Sequence, residues 1–297
     1  RDALTLMYNS MLSGPLTQIR NIAGSAFAVT MKPMSMAIGF GLDGDFKGIQ
    51  KSLGAYHAMG ETLTESFEIF KQSFKDGPVI EGSKFELHTS ETAKSLELLA
   101  KSASTPSQKA ALGHFQSLHD MINSPWMTLP TRTMSATDDM FKTISARMDL
   151  KRESFSDAFG EGMEFNADTY AKLVKAKIGP NGDLIDKKLL ADAKEMTFQT
   201  ELEGNMRAVA DMVDSSPIFK YFVPFMKTGH NLMVYAGTHT PVLNRALKES
   251  QAIRNGTDEV AKAILKGRIA LGYSVMSVGF GMAMSGNMTG NGPSDPQ

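Results

Sequence analysis

Cysteine is absent from the 297 residues. That excludes a disulfide scaffold, thiolate metal sites, iron–sulfur ligation and a cysteine nucleophile. An excess of positive charge is also missing, because 31 Lys+Arg stand against 32 Asp+Glu and leave a formal net charge of -1. A dedicated nucleic-acid binder is usually visibly basic, so that class is disfavoured. No P-loop, H-E-x-x-H, G-x-S-x-G elbow or EF-hand loop occurs in the sequence, which removes the commonest readable catalytic and metal signatures. No repeat at solenoid periods is visible. No secretion-signal pattern opens the sequence, and position 1 is Arg, so the chain reads as a piece of a longer polypeptide.

What is present is methionine and an uneven spread of charge. The 21 Met residues supply flexible, polarizable side chains of the kind found where surfaces re-pack against partners. From Leu4 to Leu42 the only charges are Arg20 and Lys32; from Asp43 to Asp214 there are 20 Lys+Arg and 27 Asp+Glu. Ser215 to Arg268 then carries 8 Lys+Arg against 3 Asp+Glu, and Ile269 to Ser294 carries no charge. The expected organisation is therefore a charge-poor apolar N-terminal part (1–42) and an acidic amphipathic middle (43–214). A basic segment with a charge-free apolar helix (215–285) and a flexible Gly/Asn/Ser/Pro tail (286–297) complete it.

Helical periodicity runs through nearly the whole chain. Ile49, Leu53, Tyr56, Met59, Leu63, Phe67 and Phe70 recur at three- and four-residue steps and predict one apolar stripe on a long helix over Phe46 to Phe74. Asp76-Gly77-Pro78 ends it. Thr105-Pro106, Ser124-Pro125, Ser216-Pro217 and Thr240-Pro241 pair a capping hydroxyl with Pro at a first helical position, and Ser135 with Asp138 resembles a capping box. Only Pro78 to His88 suggests a short hairpin. The expected fold class is all-α: an extended multi-helix assembly with long amphipathic helices and at most one short β-hairpin.

Individual candidates for chemistry are weak. Gly39-Phe40-Gly41-Leu42-Asp43-Gly44 fits G-x-G-x-x-G, but the dinucleotide fingerprint needs a β-α-β setting that this pattern lacks. A glycine-rich break between helices is the better account. The 6 His residues make no ligand spacing. Adjacent acids such as Asp138-Asp139 point in different directions on a helix, so they do not read as a glycosidase pair. The sequons at Asn255 and Asn287 mean nothing without secretion. No catalytic, cofactor-binding or metal-binding residue is assigned, no cofactor is expected, and the chain is read as not an enzyme.

Ile269 to Met284 is the longest charge-free apolar run within the helical pattern. As a helix its sixteen residues span about 24 Å, short of the roughly 30 Å hydrocarbon core of a bilayer. Lys262, Lys266 and Arg268 precede it, as cations precede insertion segments. Small residues along it, Gly272, Gly279 and Gly281 among them, permit close helix–helix approach. Two readings stand: shared core or oligomer interface, and conditional membrane insertion. Pro224 is expected to kink or stop a helix and to expose Phe222, Phe225 and Met226 together, making Phe219 to Met284 the membrane-facing or conduit-forming part.

Four blocks carry a family resemblance. They are Asn9-Ser10-Met11-Leu12-Ser13-Gly14-Pro15-Leu16-Thr17-Gln18-Ile19-Arg20-Asn21, and Thr131-Arg132 with Asp138-Asp139-Met140-Phe141-Lys142 and Arg147. The third is Phe222-Val223-Pro224-Phe225-Met226-Lys227-Thr228 with Asn231, and the last is Gly286 with Thr289-Gly290-Asn291-Gly292-Pro293 and Asp295-Pro296. In this order they resemble the C-terminal region of the large internal virion, or ejection, proteins of short-tailed phages, also grouped as phage large polyvalent protein-associated domains.

The resemblance implies a structural protein packaged inside the virion near the portal and released ahead of the DNA. It implies reassembly with partner ejection proteins into a conduit across the host periplasm and inner membrane. The implied partners are other internal virion proteins, the portal or tail complex, further copies of this chain, the host membrane, and phage DNA passing by without sequence-specific contact. Catalytic domains of such proteins lie elsewhere in their long chains. Arg132, Asp138 and Lys142 are expected to act as caps or inter-helix pairs, with Asp138 near a helix start and Lys142 four residues on. The alternatives are a helical interaction or membrane-pore module outside phages and, further off, an enzyme domain.

Overall fold

The computed structural model describes residues 2–80, 89–158, 165–179, 186–216, 219, 223 and 225–286. The protein is all-α: 83% of it is helical, in thirteen helices with no strand among the described residues. In chain order they are α1 (Asp2–Leu12), α2 (Pro15–Leu42), α3 (Phe46–Asp76), α4 (Thr89–Ser102), α5 (Pro106–Ile122), α6 (Leu129–Asp157) and α7 (Ala167–Ala176). There follow α8 (Lys187–Met196), α9 (Gly204–Ser215), α10 (Met226–His239), α11 (Leu243–Ala246), α12 (Lys248–Asn255) and α13 (Glu259–Met284). The hairpin expected over Pro78 to His88 and the tail beyond Gly286 fall largely outside the described residues.

Local chemistry sets several helix starts. Thr105 caps α5 in a full capping box with Gln108, with Pro106 leading the helix. Asn166, Asp186 and Asp258 cap α7, α8 and α13 by accepting backbone N–H bonds. Two expected caps are corrected. α6 begins at Leu129, so Ser135 and Asp138 lie within the helix and form no capping box. Ser124-Pro125 sits in a turn ahead of it, where Ser124 Oγ accepts from Met127 N–H at 3.4 Å. Gly39 to Leu42 belongs to α2 and Gly44 takes φ 72° in the following turn, a helix–turn–helix break with no strand before it.

The chain forms two compact units: residues 1–29 with 58–231, and residues 30–57 with 232–297. Their boundaries differ from those of charge, because packing continues through helices whose composition changes along their length. In the first unit, Ala146 and Leu150 of α6 pack with Leu189 and Ala193 of α8, supported by Val174 and Ile178. A second cluster joins Leu12 and Met134 with Tyr8 and Phe225.

The second unit is held by close backbone approach. A Cβ on Gly39 of α2 would lie 1.9 Å from the Ala263 carbonyl oxygen, and one on Gly267 would lie 1.8 Å from that of Ser35. Only glycine permits α2 and α13 to cross at that distance. The buried face of α3 is likewise small: Ser52, Ala55, Ala58, Thr62, Ser66 and Ser73. The expected apolar stripe is thereby corrected, because Leu53, Leu63 and Phe67 are half or more exposed. Ser52 and Ser66 donate to the carbonyls of Gly48 and Thr62, each at 2.7 Å, so their burial leaves no bare hydroxyl.

Candidate functional site

The polar face of α6 organises the first unit. Arg132 reaches the C-terminal end of α3: Nε donates to the Phe74 carbonyl at 2.8 Å and Nη2 to the same oxygen and to that of Lys75. Those carbonyls have no partner within their own helix, and a cation there also complements the helix dipole. The guanidinium lies 4.9 Å from the Phe74 ring centroid. Two turns on, Asp139 Oδ2 accepts from Ser73 Oγ and Val79 N–H, both at 2.8 Å, and from Ile80 N–H at 3.4 Å. Lys142 Nζ sits 3.3 Å from Asp139 Oδ1 with its side chain fully buried. Arg132 and Asp139 thus grip both sides of the turn at Gly77, whose φ is 99°.

Asp138 turns the other way. Its Oδ1 accepts from Asn21 Nδ2 at 3.2 Å and its Oδ2 from Gln199 Nε2 at 2.8 Å. Asp138 therefore acts in mid-helix rather than at a helix start, and Lys142 pairs with the neighbouring Asp139. Gln199 is presented by a turn in which Phe198 adopts φ 57°. Asn231 of the second unit's boundary helix α10 still belongs to the first unit. Its Nδ2 donates to the carbonyls of Phe198 at 3.1 Å and Thr200 at 2.8 Å, fixing the strained residue and the backbone that follows it.

These contacts bring together segments distant in sequence. From the first block, Asn9 Oδ1 accepts from Thr131 Oγ1 at 2.9 Å, Gln18 donates to the Pro130 carbonyl at 3.1 Å, and Asn21 holds Asp138. From the third, Phe225 packs edge-on against Tyr8 with ring centroids 5.7 Å apart. Phe225 and Met226 are half-buried, which corrects the expectation that they stand exposed together, because Tyr8 covers the Phe225 ring. Pro224 lies outside the described residues, as does the last block after Gly286. Three of the four blocks thus meet at α6, which carries the second: the first reaches it through side-chain hydrogen bonds and the third through Phe225, packed against the Leu12–Met134 cluster. Asn9, Gln18, Asn21, Ser73 and Gln199 complete this network, although their individual roles are not readable from spacing.

Further along α6, charges pair outward. Arg147 meets Glu65 at 2.8 Å, Lys151 meets Glu61 at 3.0 Å, and Arg152 lies 3.6 Å from the buried Asp149. Lys177 joins Glu153 at 3.0 Å and Asp186 at 3.2 Å, linking α6 to the start of α8. Burial works against ionisation of both partners. For Lys177 its hydrogen bonds to the Glu153 and Asp186 carboxylates outweigh it and raise the ammonium pKa. For Asp186 the Lys177 bond and the Leu189 and Lys188 N–H groups outweigh it and lower the carboxyl pKa. The arrangement is that of a scaffold: acids paired with basic side chains, the α6 members buried or half-buried and Glu61 and Glu65 of α3 at the surface. Among the described residues no group of acids and histidines has metal-site geometry.

The second unit places the apolar run on α13. Gly272 is close-packed, since a Cβ there would lie 1.6 Å from the His239 carbonyl oxygen. Arg268 is buried with its guanidinium 4.9 Å from the Tyr235 ring centroid. Lys266 pairs with Asp43 at 2.5 Å and Lys262 with Glu259 at 2.9 Å. The three cations expected to flank an insertion segment are thus engaged within the protein. Beyond Gly272 the helix leaves its neighbours. Tyr273, Val275, Met276, Val278, Phe280, Met282 and Met284 are all exposed, and nothing lies within 4 Å of a Cβ at Gly279 or Gly281. From Tyr273 on, this run is not core of the chain. Among the described residues no helix is long and apolar enough to cross a membrane.

No protein-family model, curated protein or solved structure matches the chain.

Proposed function

We propose that this chain is a structural internal virion, or ejection, protein of a tailed phage, released ahead of the DNA to help form a conduit for genome delivery. The observation that carries the reading is that residues of three family-like blocks meet around α6: Asn9 and Asn21 hydrogen-bond to Thr131 and Asp138, and Phe225 packs with Tyr8 against Leu12 and Met134. A resemblance made of scattered residues gains weight when those residues meet in the fold. The network contains no open acid pair, so its work is to hold helices rather than to turn over a substrate.

The physical character of the core supports the same reading. A chain that leaves through a narrow portal must loosen and re-form. Asp138, Asp139, Lys142, Arg147 and Asp149 are all at most 4% exposed, and a buried ionic network is typically less stable than apolar side chains of the same volume. Local helices without disulfides also re-form quickly. In this reading the chain resides near the portal with other internal virion proteins and then enters the host periplasm and inner membrane. Any membrane passage is made by an assembly, since the charge-free run of α13, Ile269 to Met284, is too short to span alone. Cryo-electron microscopy of the virion interior tests this: helical density for this chain is expected at the portal, and a filled capsid lacking it overturns the proposal.

A further inference from the structure

Three helices run from one compact unit into the other. α2 leaves the first unit at Val29, α3 returns to it at Ala58, and α10 leaves it again at Asn231. Each carries a helix-weakening residue within about one turn of its crossing. In α2 it is Pro33. Proline has no backbone N–H, so the carbonyl of Val29, at the crossing itself, cannot receive the usual helical bond from four residues on. α3 has Gly54 and Gly60 on either side of its crossing, and α10 has Gly229.

These glycines answer no packing or turn requirement. Nothing lies within 4 Å of a Cβ built at Gly54, Gly60 or Gly229, and none of the three has a positive φ. Gly39, Gly267 and Gly272, by contrast, sit where another backbone leaves no room. Glycine without such a requirement only loosens a helix relative to alanine. Gly113, Gly279 and Gly281 are open as well, but α5 and α13 each stay within one unit. The weak points are also neighbours. Within the second unit Tyr56 Oη donates to the Thr30 carbonyl at 2.8 Å, which holds the α2 and α3 crossings side by side. Within the first, the Phe198 carbonyl accepts from Asn231 at 3.1 Å, and the Phe198 ring lies 3.7 Å from a Cβ built on Gly24, less than two turns before Val29.

We infer that α2, α3 and α10 form a hinge between the two units, each helix bending at its own proline or glycine. Sharp helix bends occur at such residues, and hinges concentrate their dihedral changes in a few positions. Helices held side by side bend together only if all give at the same level, since one stiff helix acts as a strut. A weak point in all three meets that condition, and a weak point in one would not. The inference concerns the isolated chain and does not rest on the proposed virion role, so either can fail while the other stands.

The chain has no cysteine, so introduced cysteines carry spin labels at known places. Ala191→Cys in α8 and Ala252→Cys in α12 mark the two units, and Gln72→Cys with Ala191→Cys is a control pair inside the first; all three positions are exposed. Pulsed electron–electron resonance on the full chain should give a cross-unit distance distribution at least about twice as broad as the control. Gly54→Ala, Gly60→Ala and Gly229→Ala together turn α3 and α10 into struts and should bring the width close to that of the control. Each alone should narrow it part of the way, and Gly113→Ala should leave it unchanged. Every one of these alanines meets open space, and circular dichroism checks that the helices are kept; the single variants carry the test if the combination folds poorly. A cross-unit distribution no broader than the control overturns the inference. So does a broad one that the alanines leave unchanged in folded protein.

Discussion

Among the described residues Lys142 is the most deeply buried charge, and its ammonium faces Asp139, which also receives Ser73, Val79 and Ile80. Removing one member of a buried pair leaves the other uncompensated and typically costs about 3–5 kcal/mol. Lys142→Met should therefore destabilise the protein by that amount in chemical denaturation, while leaving the helical signature of the folded state intact. A loss under 1 kcal/mol would show that Asp139 is satisfied without it. Asn231→Ala removes the donors that reach the carbonyls of the strained Phe198 and of Thr200. A cost of roughly 1–3 kcal/mol is expected, with Asn231→Asp no better, because a carboxylate cannot donate. Rescue by aspartate would contradict this geometry.

Helices in this protein are set by caps at their ends and by small residues on their buried faces. Asp186 starts α8 and also pairs with Lys177. Because its carboxyl pKa is lower folded than unfolded, its contribution is present above the unfolded value of about 3.9 and disappears as pH falls through the folded value. Asp186→Ala should cost about 1 kcal/mol near neutral pH, and the difference from wild type should shrink below pH 4. A difference that grows on acidification would reverse the assignment. Along α13, Gly267→Ala should destabilise the protein by about 1–3 kcal/mol, since the added methyl meets the Ser35 backbone. Gly279→Ala meets open space and should leave folding stability unchanged or slightly higher, as alanine favours helix. Equal losses from the two would contradict the observed crossing of α2 and α13.

At this scale much was legible in the sequence. Thr105-Pro106 with Gln108 encodes its own helix start, because every atom in the capping box lies within a few residues. The long helix over Phe46 to Phe74 was legible for the same reason, but its buried face was not. A large apolar stripe suggested the inner side, whereas close approach selected Ser52, Ala55, Thr62 and Ser66. Periodicity records which residues share a face, and the neighbour decides which face is covered. Asn21, Gln199 and Asp138 were legible only in part, since the partners lie as many as 117 positions apart and no local pattern marks them.

At the scale of the whole molecule, the features that hold the first unit are polar and buried, while the largest apolar resource of the second points outward. This arrangement is what the proposed role of a virion component, released and rebuilt during infection, calls for. The most direct measurement of that proposal compares DNA-filled particles of the phage proposed to encode the chain with particles emptied by receptor, quantifying this chain by mass spectrometry against the capsid protein. The account predicts several copies per filled particle and almost none after emptying. Absence from filled particles, or equal amounts in both, would contradict it.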